Sequence, residues 1–216
     1  MGLLPEEHKE HLRRELGEKL QNPVKVIMFT QELECRFCAE TRMLVQELGA
    51  LSDKVCVEVY DFVKDAPIAE KYGVDKVPAI AVVGEKDYGL RFYGFPYGYE
   101  FQTLINDLIA VSRGSTDLSE EIKKRLGEVK RPVHIQVFVT LTCPHCPVAA
   151  SAAHKFAVES EFISADVIDS SEFPHLAMKY NVVGVPKVVL NEKVEFVGAF
   201  QEDLFLEHIL LASVST

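Results

Sequence analysis

The sequence predicts an α/β chain made of two tandem copies of one unit, each a mixed four-stranded sheet flanked by helices. Three observations carry this. Cys-x-x-Cys occurs twice, as Cys35-Arg36-Phe37-Cys38 and Cys143-Pro144-His145-Cys146, so the motifs stand 108 positions apart. A Val-Pro pair follows each at the same spacing, 40 residues from Cys38 to Pro78 and 40 from Cys146 to Pro186. Hydrophobic periodicity then runs in the order α-β-α-β-α-β-β-α in both halves, the mark of a duplicated unit.

Taken in order, residues 5–20 read as an amphipathic helix and 23–30 as a short β-branched buried strand running into the first cysteines. A helix follows over 39–49 and a strand over 54–60. Lys71-Tyr72-Gly73-Val74 then lies opposite Lys179-Tyr180-Asn181-Val182. Gly and Asn at one position are the two residues that best tolerate a left-handed helix end. Strands over 77–83 and 88–93, Gly94 and a helix over 99–112 complete the first half. The second repeats it with a helix over 119–128, where Asp117 or Ser119 can cap, and a strand over 132–139. A helix over 148–160, strands over 161–168, 185–190 and 194–197, Gly198 and a helix over 202–212 follow. Residues 112–117 form a short boundary, so the expected units are 1–116 and 117–216, packed against each other.

A net charge of −10, from 23 basic and 33 acidic residues, argues against nucleic acid as a partner. No apolar run approaches the ~18 residues that span a bilayer. The N-terminus lacks the apolar stretch of a leader peptide. The expected compartment is therefore the cytoplasm, where dithiols stay reduced unless catalytic. Ten Asn plus Gln against 23 Glu lean towards a heat-adapted source.

The chemistry the spacing suggests is thiol–disulfide exchange. A thiolate attacks a disulfide, and a helix N-terminus favours the anion through its free N–H groups and dipole. Cys35 and Cys143 are the expected exposed nucleophiles. Cys38 and Cys146, one turn into the helix, are the expected resolving thiols. Between the second pair, Pro144 pre-sets φ for the first helical turn and His145 adds charge or a hydrogen bond beside the sulfur. Between the first pair, Arg36 favours the anion while Glu32 and Glu34 oppose it.

The repeated element order, with the dithiol at a strand-to-helix corner and a trailing Val-Pro and Gly, resembles the thioredoxin fold in tandem. Over practically the whole chain it is similar to the glutaredoxin-like protein disulfide oxidoreductases of thermophilic archaea and bacteria. That resemblance implies a cis-proline at Pro78 and Pro186. The backbone of Val77 and Val185 would then be free to pair with a substrate strand. It also implies no bound organic cofactor, with electrons from NADPH reaching the dithiols through a separate thioredoxin-reductase-like flavoenzyme. Cys-Pro-His-Cys resembles the motif of strongly oxidising periplasmic enzymes, so the second dithiol is expected to be the more oxidising and to do most of the exchange with protein substrates. A buried carboxylate that many relatives carry in the strand before the dithiol is missing: only Lys25, His134 and Gln136 are polar there.

Other readings are weaker. Structural zinc pairs of Cys-x-x-Cys usually lie ~15–20 residues apart, and a four-residue disulfide ring adds little loop-closure entropy. A dedicated electron carrier for a peroxide-reducing system is the nearest rival, although such modules usually keep one dithiol. A non-catalytic protein-binding or chaperone module is the rival of another class. Cys56 reads as a buried strand residue. His8 and His11 read as solvated, and His154, His175 and His208 show no partner pattern. The aromatic run from Phe92 to Tyr99 reads as core and turn packing more readily than as a substrate groove.

Overall fold

A computed structural model describes residues 2–215. The first half comprises α1 (Glu6–Lys19), β1 (Val24–Thr30), α2 (Cys38–Gly49), β2 (Val55–Asp61), α3 (Ala66–Lys71), β3 (Ala79–Val83), β4 (Asp87–Tyr93) and α4 (Glu100–Arg113). The second comprises α5 (Glu120–Leu126), β5 (Val133–Val139), α6 (Cys146–Glu159), β6 (Ile163–Asp169), α7 (Pro174–Lys179), β7 (Lys187–Leu190), β8 (Val194–Val197) and α8 (Glu202–Val214).

Local chemistry explains the boundaries. Glu6 and Glu7 open α1 and Lys19 closes it, each sign matching the helix dipole. Of the two possible caps of α5, Ser119 is the one used: its hydroxyl accepts from Ile122 N at 3.3 Å. Gly73 and Asn181, just beyond α3 and α7, both take positive φ (64° and 49°), as the paired Gly and Asn predict.

The two four-stranded sets do not stop at their own edges. They join into one eight-stranded sheet ordered β2-β1-β3-β4-β6-β5-β7-β8. The seam is a parallel pairing of β4 with β6, with Leu90 opposite Ala165 and Tyr93 opposite Ile168. Tracing the pairings from β1 through antiparallel β3 and β4 to parallel β6 and β5 shows that β1 and β5 run the same way. Both dithiols therefore sit beyond the same end of the sheet. Four strand spacings, about 19 Å within the sheet, separate β1 from β5, the strands that lead into them.

β1 and β5 are buried along almost their whole length because both faces are covered. Val26 and Met28 face the larger core with Leu16, Leu44 and Leu108, and that core runs on without a break into Val137 and Phe156 of the second half. Ile27 and Phe29 face the smaller core beneath α3 and α7.

Three expectations are corrected by the structure, for His154, His208 and Cys56. His154 has a partner: it is fully buried, its Nδ1 lies 2.6 Å from Asp107 Oδ2, and its ring meets Phe92 edge-on at 4.9 Å. His208 likewise packs its ring 4.7 Å from that of Phe196. The His154 contact joins α4 to α6 across the seam, a pairing 47 positions apart that no local pattern reveals. Burial works against an imidazolium there, and the Asp107 carboxylate more than reverses this, so the His154 pKa is raised.

Cys56, expected to be buried, is exposed. It is the second residue of the edge strand β2, opposite Lys25, on the face that short α3 covers only further along. In the oxidised native protein we expect one thiol per chain to react with an aromatic disulfide reagent. A silent thiol would show that something covers Cys56.

Candidate active site

Each dithiol is closed as a disulfide across the start of a helix, with Cα atoms 5.5 Å apart in both. The helices begin later than the sequence suggested. Cys38 and Cys146 are the first helical residues rather than residues one turn in, and Phe37 and His145 hold the capping positions. Pro144 accordingly lies in the turn ahead of α6, and Pro147 takes the first-turn place that suits a proline. The expected exposure of the nucleophiles is also corrected. Cys35 is half-buried and Cys143 retains 9% exposure, while Cys38 and Cys146 are buried.

The reason for the cover on Cys143 is visible in its contacts. Its Sγ lies 3.1 Å from the backbone N–H of Cys146, which donates to it, and 3.8 Å from the carbonyl oxygen of Val185. The first contact is the helix-end N–H that would favour a thiolate. At the first site an N–H···S contact runs to the other cysteine, from Gln31 N to Cys38 Sγ at 3.5 Å.

Val77-Pro78 and Val185-Pro186 are both cis peptides. Matched bonds hold them: Gly94 N donates to the Pro78 carbonyl at 2.9 Å and Gly198 N to the Pro186 carbonyl at 2.8 Å. In each half the proline is buried and the valine before it half-exposed.

The surroundings differ between the sites. At the first, the Arg36 guanidinium lies 4.9 Å over the Phe37 ring, which stacks on Phe95 at 5.9 Å, which stacks in turn on Tyr97 at 5.1 Å. The aromatic run thus divides: Phe92, Tyr93 and Phe95 are core, whereas Tyr97 and Tyr99 are exposed. A groove of about 430 Å³ beside this dithiol is lined by Gln31, Arg42, Met43 and Gln46 along with both cysteines. At the second site His145 is exposed, with exposed Val148, Val183 and Val197 on the elements around it.

Two carboxyl groups near the sites are missed by local sequence reading. Glu100, at the start of α4, is 2% exposed and lines a small cavity with Val139 and Leu141, on the approach to the second dithiol. Burial pushes its pKa up to about 7. Thr103 favours the anion, yet neither Glu100 oxygen reaches hydrogen-bond geometry. Glu172, after β6, is likewise pushed up to about 7, by burial first, while it accepts from Phe95 N at 2.6 Å. Among the described residues no three His, Cys, Asp or Glu side chains gather as a metal site, and no helix is long and apolar enough to cross a membrane.

This geometry has a near match in a solved structure. The protein disulfide oxidoreductase of Aeropyrum pernix superposes with a TM-score of 0.91, over 98% of this chain and 94% of that one, at 29% identity. The fold is a tandem thioredoxin fold. Residues 133–211 match a thioredoxin domain family. Among curated proteins, the NADH dehydrogenase of Bacillus subtilis is 29% identical over 150 residues, 68% of this chain and 27% of that protein. The alkyl hydroperoxide reductase F polypeptide of Escherichia coli is 27% identical over 176 residues, 82% of this chain and 32% of that one. The chain thus spans about a quarter to a third of the length of the curated relatives it matches.

Proposed function

We propose that the protein is a thiol–disulfide oxidoreductase that acts on protein disulfides through two Cys-x-x-Cys sites. The observation that carries this reading is the pair of disulfides, each at a helix start with a cis-proline loop alongside, on a fold shared along nearly its whole length with a protein disulfide oxidoreductase.

In reduction, the Cys143 thiolate attacks a substrate disulfide, forms a mixed disulfide and expels one substrate thiolate. Cys146 then attacks Cys143 Sγ, releasing the second substrate thiolate and closing the Cys143–Cys146 disulfide. Two electrons have passed to the substrate. Run backwards, the same steps oxidise a dithiol. The N–H of Cys146 stabilises the attacking sulfur, and the exposed His145 adds a donor or a charge beside it. Val77-Pro78 and Val185-Pro186 would receive the substrate backbone. Cys35 and Cys38 repeat the chemistry with Arg36 between them.

Re-reduction requires an electron source. A separate flavoprotein reductase drawing on NADPH suits the dithiols, and the likeness to an alkyl hydroperoxide reductase polypeptide supports a partner of that class. That likeness also favours a second reading, in which the chain is a dithiol carrier for one peroxide-reducing partner. Insulin separates the two. A broad oxidoreductase should reduce insulin disulfides catalytically and lose this when all four motif cysteines become serine. A dedicated carrier, or a binding module with incidental dithiols, should show no turnover in the unaltered protein.

A further inference from the structure

A residue of the second half, Glu172, holds the loop that packs on the first dithiol's turn. The loop after β4 crosses the seam at Gly94, whose φ is +105° and where an added Cβ would lie 2.8 Å from both Asp169 Cβ and Glu172 Oε1. The next residue, Phe95, donates its N–H to Glu172 Oε1 at 2.6 Å and lays its ring on Phe37, between the first pair of cysteines. Phe37 is the capping residue of α2, and its carbonyl accepts from Thr41 N at 2.9 Å and Thr41 Oγ1 at 2.7 Å. A chain of contacts thus leads from Glu172 to the helix end that holds Cys38.

Charge converges on the same place. The carboxylate of Glu172 is stabilised by Arg36, from between the cysteines, and opposed by Glu40 of α2 and Asp169 of β6. Asp169 in turn opposes the anion of Glu100. The repeat offers a control. One repeat earlier, Glu172 corresponds to Lys64, which is exposed and paired with Asp61. In the second half His145 stands where Phe37 does, and Ala199 follows Gly198 where Phe95 follows Gly94. The second dithiol therefore has no such stack.

We propose that Glu172 is a positioning residue for the first dithiol, through which the second half sets both the seat of α2 and the charge that Arg36 can offer Cys35. It rests on the reading of Cys35 as that site's nucleophile. With Glu172 ionised, part of the Arg36 charge is engaged by the carboxylate. With it neutral, that charge is available to the thiolate.

The test uses the full chain with Cys56→Ser and one dithiol at a time, following iodoacetamide alkylation of the reduced protein against pH. With Cys143→Ser/Cys146→Ser, Glu172→Gln keeps an oxygen for Phe95 N and loses the charge. The Cys35 midpoint should fall by about half a pH unit and follow a single-proton curve. Glu172→Ala should disturb the profile further by also loosening Phe95. With Cys35→Ser/Cys38→Ser, neither substitution should move the Cys143 profile. An unmoved Cys35 midpoint in Glu172→Gln overturns the proposal, and so does an equal shift at both dithiols. Alkylation needs no turnover, so failure to reduce insulin would refute the oxidoreductase reading while leaving this result legible.

Discussion

Replacing Cys143 by serine is expected to lower insulin-disulfide turnover roughly 100-fold or more, because a hydroxyl cannot supply the thiolate that opens a disulfide. Cys35→Ser is expected to cost less than about 10-fold, since the second dithiol keeps its nucleophile and resolving thiol. The contrast follows from the two settings. The helix-end N–H reaches Cys143 Sγ, with Pro144 and exposed His145 next in the chain, whereas the N–H···S contact at the first site falls on Cys38 rather than Cys35. Steady-state insulin reduction by the two single variants decides it, and the opposite ranking would make Cys35 the principal nucleophile.

The second large effect is on stability. Glu100 carries a folded-state pKa of about 7 against an ordinary value near 4.5. Between those values this carboxyl binds more protons in the folded chain than in the unfolded one, so its contribution to stability falls as pH rises from about 4.5 to 7 and is flat above. The cost above pH 7 is about 3 kcal/mol, at about 1.36 kcal/mol per unit. Glu100→Gln is therefore expected to raise stability at pH 8 by up to about 3 kcal/mol and to leave it nearly unchanged at pH 4.5. Urea unfolding at the two pH values measures this. Equal effects at both would mean that the carboxyl does not titrate in this window.

Why such groups escape sequence reading is clear from where their partners lie. The repeat made the elements legible because each copy reports on the other: two strands of β-branched residues ending at cysteines, and Gly73 against Asn181 at matching helix ends. The dithiols and the Val-Pro pairs were legible for the same reason. What crosses the seam was not. Glu172 meets Phe95 and His154 meets Asp107 only because β4 pairs with β6, and nothing in the pattern of a single half shows which edge is used. Cys56 reads as buried from its apolar neighbours, yet an edge strand reached only partly by a short helix leaves it in water. The carboxyl absent from the strands before the cysteines does not leave the region free of buried acid, because Glu100 arrives from α4.

The most direct measurement is the reduction potential of each dithiol alone. Cys35→Ser/Cys38→Ser and Cys143→Ser/Cys146→Ser variants would be equilibrated in glutathione or dithiothreitol buffers. Both dithiols should exchange reversibly, with the second more oxidising by tens of millivolts, about 30 mV for each ~1.4 kcal/mol by which its reduced form is favoured. Two equal, strongly reducing potentials would contradict the weight placed on Pro144, His145 and the N–H of Cys146, and a dithiol that never equilibrates would contradict the oxidoreductase assignment for its site.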